Sequence, residues 1–558
     1  MKVQKPSTGS DMSKKIVIVG GVAAGASAAA RLRRLDEEAE IVMFERGQDI
    51  SFANCGLPYY VGGVIAKKNN LLVQTPRAMS KRFAIDVRVL TEVQEIIPAE
   101  KRIVAHDFGS GEKYSESYDY LVLCPGASPV IPDIPGINRP NVYTVRNIPD
   151  SEKIKAHVEV SDVRNVVIIG AGFIGMEMAE MMRVRELNVT VVEASPQILG
   201  VLDPEMAKIA EKYVASQGVK FITSDVAVAL EGDPAVNKVI LQSGIEIPAD
   251  LVILGIGVKP ETWLAAQAGL EIGETGGIKV NQYLQTSDPF IYAAGDAIEV
   301  KDYVSGNATL VPMAGPANRQ GWIVANNIAG RKIEYPGSQG TGIIKLMDLA
   351  VAVTGRNERA LQRWGIDYLT CHVHPNSHAT YYPGSSQMTV KLIFSPEGKV
   401  LGAQIVGYDN VDKAIDVFAT AIRAHMTVYD LQDLELAYAP PFSSAKTPVN
   451  LAGYTAANIL DGMVEPVRWE EVASRVKAGA LLVDVRTDKE HQKMPVEGSV
   501  NIPLDELRDN LDKLPEDQEI LAFCQVGLRS YVANRILRQK GYKVKNISGG
   551  YKMYPKGI

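Results

Sequence analysis

Two stretches of this chain share one pattern, and the repeat restricts the possible folds more than any other feature. Each has a β-branched run, a glycine turn, a helix of small or apolar residues, and a second strand ending in glutamate. The first reads KKIVIVGGVAAGASAAARLRRL and then IVMFE; the second reads VVIIGAGFIGMEMAEMM and then VTVVE. Each predicts a βαβ unit, and two such units predict two nucleotide-binding domains built on parallel sheets.

These turns have the features of dinucleotide binding. Glycines allow a tight turn and close approach of the backbone to a pyrophosphate, and the free N–H groups at the helix start stabilise its charge. A glutamate about 20 residues further on accepts a hydrogen bond from a ribose hydroxyl. The predicted cofactor-binding residues are Gly20, Gly21, Gly25, Glu45 and Arg46 in the first copy, and Gly170, Gly172, Gly175 and Glu193 in the second.

The second glutamate bears on the choice of nicotinamide cofactor. Glu193 favours a free 2′-hydroxyl and repels a 2′-phosphate, and no arginine directly follows it. We therefore expect NADH to be preferred, with NADPH also possible. The first copy is the weaker signal, because Val22 stands where the second glycine usually lies, and a plain strand-turn-helix fits it about as well.

Length and composition exclude several classes of protein. A chain of 558 residues predicts several domains, and a net charge of −6 gives no reason to expect nucleic acid binding. No apolar run reaches the roughly 18 residues that span a bilayer, so we expect no membrane partner and a cytoplasmic location. The residues before Met12 are rich in Lys, Pro, Ser and Gly, which is typical of a disordered leader outside the fold.

The four cysteines are too few and too scattered for a disulfide framework. There is no CxxC pair, and no histidine stands beside a cysteine at zinc-ligand spacing, so no metal site is expected. Each cysteine is therefore interpreted alone. Cys55 lies in SFANCGLPYY shortly after the first βαβ unit, whereas Cys124 and Cys371 are most simply structural.

From residue 14 to about 455 the chain resembles the pyridine nucleotide disulfide oxidoreductases. The segment QTSDPFIYAAGDAIEV, which predicts a strand ending at Gly295 and Asp296 and then a helix, is similar to the second flavin motif of that superfamily. The resemblance implies FAD as cofactor, with Asp296 bound to the flavin ribityl chain. It also implies that Cys55 is the redox cysteine. Cys124 is too remote to be its local partner, so the expected enzyme works with a single thiol.

Single-cysteine members of this superfamily include NADH oxidases and peroxidases as well as coenzyme A disulfide reductases. The peroxidase group has a histidine in the first glycine turn, but here that turn reads GGVAAGAS and no histidine precedes His106. The segments SFANCGLPY, HATYYPG and LAYAPPF resemble the coenzyme A group. This implies coenzyme A, or another small thiol, as the partner molecule.

The same resemblance implies a homodimer in which Tyr381 and Tyr438 of one subunit flank Cys55 of the other as catalytic residues. RLRRL fits an ordinary solvated helix face equally well, and Tyr438 could be a packing residue. The positions that match coenzyme A contacts are Ser27, Arg31, Arg34, Ser51, Asn54 and Lys446.

A separate α/β pattern begins at Trp469. Its segments LLVDVR, GSVNIPLDEL, EILAFCQVGLRS and VKNISGGY resemble a rhodanese domain. In that family a cysteine follows a strand and is held in a loop whose N–H groups form an anion nest. Cys524 is the expected nucleophile, and Arg529 is expected to lower its thiol pKa so that it carries sulfur as a persulfide. An inactive docking module, the alternative, would lack the cysteine.

The predicted fold class is α/β, with two Rossmann-like nucleotide-binding domains, an α+β dimerisation domain and a C-terminal α/β rhodanese domain. The predicted bounds are 12–149 with 281–334 for the FAD-binding domain, 150–280 for the NAD-binding domain, 335–455 for the dimerisation domain and 465–558 for the rhodanese. The expected activity is reduction of coenzyme A disulfide, persulfide or polysulfide by NADH. Two alternatives stay open: an NADH oxidase or peroxidase, and a carrier that hands sulfane sulfur to a partner protein.

Overall fold

The computed structural model describes residues 13–555, so the leader expected before Met12 lies outside the described residues. The chain divides into two compact units, one of residues up to 194 with 225–338, the other of residues 195–224 with 339 onward. Up to residue 194 the elements are β1 (Lys15–Val19), α1 (Ala23–Leu35), β2 (Glu40–Glu45), α2 (Leu57–Gly62), α3 (Pro76–Phe83), β3 (Asp86–Val89), β4 (Thr91–Ile97), β5 (Arg102–Asp107), β6 (Lys113–Ser117), β7 (Tyr120–Leu123), β8 (Ala127–Pro129), β9 (Val142–Thr144), α4 (Ile148–Val160), β10 (Asn165–Ile169), α5 (Phe173–Val184) and β11 (Asn188–Glu193).

The middle of the chain contributes to both units. Its elements are α6 (Pro204–Ser216), β12 (Val219–Thr223), β13 (Ala227–Glu231), β14 (Lys238–Leu241), β15 (Glu246–Pro248), β16 (Leu251–Leu254), β17 (Val258–Pro260), α7 (Trp263–Gln267), β18 (Ile291–Ala293), β19 (Val300–Lys301), β20 (Ala308–Thr309) and α8 (Ala314–Ile328).

The remaining elements all belong to the second unit. They are β21 (Gly342–Leu346), β22 (Leu349–Gly355), α9 (Glu358–Arg363), β23 (Leu369–Val373), β24 (Thr389–Phe394), β25 (Val400–Gly407), α10 (Val411–Arg423), α11 (Val428–Asp433), α12 (Pro448–Leu460), β26 (Pro466–Val467), α13 (Trp469–Lys477), β27 (Leu481–Asp484), α14 (Asp488–Lys493), β28 (Val500–Asn501), β29 (Ile520–Phe523), α15 (Leu528–Gln539) and β30 (Val544–Ile547).

The first unit contains two parallel sheets, as the repeated βαβ pattern predicts. One has the order β18-β7-β1-β2-β3, and in the other β10 lies between β11 and β16. Small residues let α1 approach α8 closely, since a Cβ added at Gly321 would lie 2.2 Å from the Ala24 carbonyl oxygen. Strands β8 and β17 form a separate antiparallel pair in the same unit.

The helix predicted directly after Asp296 is wrong. The chain turns there and enters β19 instead, and the next helix of the described residues is α8. Ile298 and Val300 are both buried, and alternation of buried β-branched residues favours an extended chain over a helix.

The second unit contains an antiparallel and a parallel sheet. The antiparallel sheet has the order β21-β22-β25-β24-β23, with α10 packed on β22 and β25. The C-terminal sheet, in the order β26-β30-β29-β27-β28, is parallel, and α15 packs on β29 and β30. The predicted α/β class is thus confirmed. Within residues 13–555 no helix is long and apolar enough to cross a membrane.

A buried ion cluster lies in the middle of the second unit. Lys391 on β24 is fully buried, and its Nζ contacts the carboxylates of Asp203 (2.8 Å), Glu205 and Glu358. Burial alone would lower the pKa of Lys391, but these carboxylates raise it overall, so the ammonium stays charged. The cluster joins α6, α9 and the antiparallel sheet through groups that cannot be left unpaired away from water.

Replacing Lys391 with methionine should destabilise the protein strongly. The variant removes the one cation that all three carboxylates share, and breaking a buried ion pair from one side costs about 3–5 kcal/mol. Denaturant unfolding measures the loss. The exposed Lys413→Met is the matched control and should change stability by no more than about 0.5 kcal/mol. Equal effects of the two substitutions would contradict a structural role for the cluster.

Candidate functional site

The two glycine turns have the same geometry. A Cβ added at Gly20, at φ +97°, would lie 2.1 Å from the Cys124 carbonyl oxygen, and one at Gly170, at φ +104°, would lie 2.4 Å from that of Gly255. Neither Gly20 nor Gly170 could be replaced by a residue with a side chain. A Cβ added at Gly172 meets no atom within 4 Å, so that side of the second turn is open, as a close-lying pyrophosphate requires.

Glu45 and Glu193 occupy equivalent positions in the two βαβ units and make equivalent hydrogen bonds. The Glu45 carboxylate accepts a hydrogen bond from the Gly21 N–H (2.9 Å), and the Glu193 carboxylate accepts one from the Ala171 N–H (2.7 Å). Each acid is thereby fixed at the end of its strand, beside the turn of its own βαβ unit. A cavity at the first turn is lined by residues that include Gly20, Glu45, Arg46 and Glu261, and it fits the ribose end of a dinucleotide.

Asp296 follows β18 near the first turn and is partly buried. Burial raises the pKa of its carboxyl, and the nearby Arg146 opposes that rise. Burial in turn lowers the pKa of the Arg146 guanidinium. An acid and a cation desolvated together are suited to hydrogen bonding with a polyhydroxyl chain, so these residues fit the expected flavin.

Cys55 lies in a short 3₁₀ helix, Asn54–Gly56, that runs directly into α2. The Ser51 N–H donates to the Gly21 carbonyl oxygen at 2.9 Å, which holds this segment against the first glycine turn. Although Cys55 is exposed, its surroundings partly desolvate the thiol, and this raises its pKa, with smaller contributions from Glu177 and Asp296. In the protein alone the thiol is therefore favoured over the thiolate.

A carboxylic acid that sequence reasoning missed lies beside this thiol. Glu177 on α5 accepts a hydrogen bond from the Tyr59 hydroxyl at 3.4 Å. Burial raises the pKa of Glu177 to about 7, and burial together with Glu177 raises the pKa of Tyr59 to about 12. Glu177 follows the second glycine turn in the segment GMEMAE, where an acid among methionines was the available signal. The pair can hold a proton near Cys55 at neutral pH.

The other cysteines differ sharply from Cys55. Cys124 is partly buried and Cys371 is buried, and burial raises the pKa of each thiol to about 12. Both are unreactive at neutral pH, which agrees with their interpretation as structural residues.

Tyr381 and Tyr438 come together in the second unit although 57 positions separate them. Their hydroxyls form a hydrogen bond of 2.7 Å, and Tyr381 is 73% exposed. That bond raises the pKa of the Tyr381 hydroxyl. One of the two hydroxyl protons is used in this bond, so the exposed pair can donate one hydrogen bond to a charged sulfur that approaches from outside.

The residues expected to contact coenzyme A are divided between the units. In the first unit, Ser27 donates to Asn318 Oδ1 at 2.5 Å and Arg31 donates to Asn326 Oδ1 at 3.1 Å. The Asn54 side-chain oxygen is buried without a hydrogen-bond partner among the described residues. Arg34 and Lys446 are exposed, and Lys446 belongs to the second unit, with its Nζ 5.2 Å from the Tyr454 ring centre.

Cys524 follows β29 and is fully buried. Its Sγ accepts hydrogen bonds from the Gly527 N–H (3.1 Å) and the Ser530 hydroxyl (3.5 Å). Gly527 has φ +96°, which turns the loop back over the sulfur. N–H and O–H donors aimed at one sulfur stabilise a thiolate or persulfide anion.

The Arg529 guanidinium is paired with a carboxylate, which the sequence did not indicate. Both of its terminal nitrogens donate to the Glu490 carboxylate at 2.7 Å. These bonds lower the pKa of Glu490 to about 2. Glu490 itself was missed because Thr487 and Glu490 look like an ordinary capping box in the sequence, which they also form.

Three family models match successive parts of the chain. Residues 14–321 match the family described as pyridine nucleotide-disulphide oxidoreductase, residues 342–449 match its dimerisation domain, and residues 468–555 match the rhodanese-like domain. A curated relative, the NAD(P)H sulfur oxidoreductase (CoA-dependent) of Pyrococcus furiosus, is 40% identical over 78% of this chain and 97% of its own.

Two solved structures extend the similarity over the C-terminal domain. Reduced Bacillus anthracis CoADR-RHD is 52% identical, covers 98% of both chains and has a TM-score of 0.96. A NAD-dependent persulfide reductase from A. fulgidus is 38% identical, covers 97% of this chain and 100% of its own, and has a TM-score of 0.91. An NADH oxidase of Methanocaldococcus jannaschii, 35% identical over 79% of this chain and 98% of its own, is a relative with a different activity in its name.

Substituting Glu177 with glutamine should lower the thiol pKa of Cys55. The negative charge of Glu177 disfavours the thiolate, so its removal moves the ionisation of Cys55 to lower pH. The pH dependence of Cys55 alkylation, followed by peptide mass spectrometry, gives the midpoint. Glu186→Gln, an exposed position beyond the end of α5, is the control and should leave the midpoint in place. A midpoint that rises in Glu177→Gln would show that the acid acts in another way.

Proposed function

The chain belongs to the pyridine nucleotide-disulphide oxidoreductase family, and from this we propose that it uses NADH to reduce oxidised sulfur of coenzyme A at Cys55. The observation that carries the proposal is the environment of Cys55. It is an exposed thiol next to the first glycine turn, whereas Cys124 and Cys371 are kept protonated by burial. FAD, for which the first turn, Glu45 and Asp296 provide a fitting site, supplies the route for an electron pair from NADH.

The proposed reaction needs only one thiol. The Cys55 thiolate attacks one sulfur of an RS–SR or RS–SH bond, that bond breaks, and a mixed disulfide with Cys55 forms while the other sulfur leaves. Two electrons then break the mixed disulfide and regenerate Cys55. Overall NADH, one proton and RS–SR give NAD⁺ and two RSH, and a persulfide gives RSH and hydrogen sulfide. Glu177 and Tyr59 hold a proton close to the regenerated thiolate.

Coenzyme A is the proposed thiol because polar and cationic side chains lie on α1 and a polar side chain lies next to Cys55 in the chain. Ser27, Arg31 and Arg34 lie on α1, and the partnerless oxygen of Asn54 adjoins Cys55. Guanidinium groups suit the phosphates of coenzyme A. The names of the relatives agree with this choice, since the Pyrococcus protein is called CoA-dependent.

We propose that the C-terminal domain carries sulfane sulfur on Cys524. Support comes from the Gly527 N–H and the Ser530 hydroxyl, both of which donate to its sulfur.

All four cysteines of the chain are unpaired, which fits the reducing conditions of the cytoplasm. The proposed location is therefore cytoplasmic.

Cys55→Ser should abolish NADH oxidation with coenzyme A disulfide and with coenzyme A persulfide, whereas Cys524→Ser should retain it, because only Cys55 exchanges electrons with the cofactor. Both variants are assayed without oxygen and at equal enzyme concentration, and NADH oxidation is followed by the loss of the absorbance of reduced nicotinamide. Hydrogen peroxide is offered separately. Turnover with peroxide alone would assign the chain to the oxidase and peroxidase class. Sulfur delivery that survives in Cys55→Ser without NADH use would favour the carrier function.

Mixing Cys55→Ser and Tyr438→Phe chains tests the proposed homodimer. If Tyr438 serves Cys55 of the other subunit, a mixed dimer has one complete site, and random exchange should recover about a quarter of wild-type activity. The mixture is unfolded, refolded with FAD and assayed beside each variant treated alone. Activity no higher than the mean of the two parents would mean that Tyr438 acts within its own chain or not at all.

A further inference from the structure

The Cys524 loop rests on a second glycine-containing segment of its own domain, residues 548–552. The Tyr551 N–H donates to the Cys524 carbonyl oxygen at 2.7 Å, and the Lys552 N–H donates to that of Gln525 at 3.0 Å. A Cβ added at Gly550 would lie 2.5 Å from the Cys524 carbonyl oxygen. Any shift of this segment therefore moves the loop that presents N–H groups to the Cys524 sulfur.

The opposite side of residues 548–552 is bonded to the antiparallel sheet. His374 Nε2 lies 3.0 Å from the Gly549 carbonyl oxygen, His372 Nδ1 lies 3.0 Å from the Ser548 hydroxyl, and Lys552 Nζ donates to Gln387 Oε1 at 2.6 Å. We call these three contacts the domain seam. Both histidines are buried, at 9% and 7% exposure for His372 and His374.

The partners fix the tautomer of His374 and show that Nε2 of His372 carries a proton. A carbonyl oxygen only accepts, so His374 carries its proton on Nε2, and its Nδ1 accepts from the Thr389 hydroxyl at 3.0 Å. His372 Nε2 donates to the Glu205 carboxylate at 3.1 Å, and its Nδ1 is hydrogen-bonded to the Ser548 hydroxyl. Burial lowers the pKa of His374 well below its usual value, so this donor is neutral at physiological pH.

The seam is continuous with the buried ion cluster. Glu205 contacts both His372 and Lys391, and Glu358 contacts both Lys391 and Arg468, which directly precedes α13. Polar groups that are buried and mutually bonded in this way resist movement, because displacing one leaves others unpaired. The C-terminal domain is therefore fixed to the antiparallel sheet through the segment that supports its reactive loop.

We propose that His372 and His374 are positioning residues for sulfur transfer at Cys524, so that the dimerisation domain sets the reactivity of the rhodanese loop. The inference rests on the proposed sulfur-carrying function of Cys524. In the step concerned, the Cys524 thiolate attacks the outer sulfur of a donor such as thiosulfate. The donor S–S bond breaks, a Cys524 persulfide forms, and sulfite leaves with the electron pair.

The test uses the full-length chain with thiosulfate as sulfur donor and follows persulfide formation on the Cys524 peptide by mass spectrometry. His374→Ala removes the bond to Gly549 and should lower the maximal rate of persulfide formation about tenfold, with little change in the thiosulfate concentration that gives half of that rate, since a buried carbonyl then loses its donor. His374→Gln keeps a donor where Nε2 stands and should stay within about twofold of wild type. If the His374 side chain only filled space, His374→Gln would not be expected to restore the rate lost in His374→Ala.

A variant on the other side of the seam covers the case in which His374→Ala fails to fold. Ser548→Ala removes a single hydroxyl from the seam and should lower sulfur transfer about threefold, whereas Ser499→Ala, whose hydroxyl bonds within its own loop, should not lower it. Coenzyme A disulfide reduction through Cys55 is measured in every variant and should be unchanged.

The possible outcomes separate the two proposals. If the wild-type chain forms no persulfide on Cys524, the proposed sulfur-carrying function fails. If the wild type forms it and His374→Ala, His374→Gln and Ser548→Ala all match that rate, the function stands and the positioning role is wrong. Equal loss in His374→Ala and His374→Gln, or parallel loss of reduction at Cys55, would also overturn the positioning role by indicating general damage.

Discussion

The tight turn at Gly20, and its repeat at Gly170, is the constraint on which the first unit depends. In each turn the glycine lies against a carbonyl oxygen at the end of a neighbouring strand, so close that no side chain fits. This contact sets where α1 and α5 begin, and each helix start faces the glutamate at the end of the next strand. The first turn also holds the segment that contains Cys55, because the Gly21 carbonyl oxygen accepts a hydrogen bond from the Ser51 N–H.

Cys55 and Cys524, the two cysteines proposed to react, have opposite environments. Cys55 is exposed, and the nearby acids Glu177 and Asp296 disfavour its thiolate. Cys524 is fully buried, yet it is surrounded by donors that favour an anion on sulfur. This contrast fits the two proposed roles: an exposed thiol at Cys55 that is open to a substrate, and a buried sulfur at Cys524 whose hydrogen-bond donors suit a bound sulfur anion.

Buried polar contacts give the second unit its internal order. Lys391 connects Asp203, Glu205 and Glu358, and the bonds continue through His372 to Ser548. Such a network contributes less to net stability than its number of bonds indicates, because each charge loses water on burial. Its effect is on geometry: few alternative arrangements satisfy all of these groups at once.

The sequence alone was enough to predict the two βαβ units, the cofactor class and the rhodanese-like C-terminal domain, and it led to the proposal of a single redox thiol. Each of these depends on residues close together in the chain, where turn geometry and strand periodicity act locally. It was misleading after Asp296, where buried β-branched residues continue the chain as a strand and not as a helix.

The folded structure, and not the sequence, revealed which distant groups meet. The hydrogen bond between Tyr381 and Tyr438, the acid Glu177 beside Tyr59, the pairing of Glu490 with Arg529 and the bond from His374 to Gly549 all join residues far apart in sequence. Burial then shifts the pKa of some of these groups: it raises the pKa of Glu177 and lowers that of His374. Desolvation depends on what surrounds a side chain in space, and no local pattern of residues encodes that.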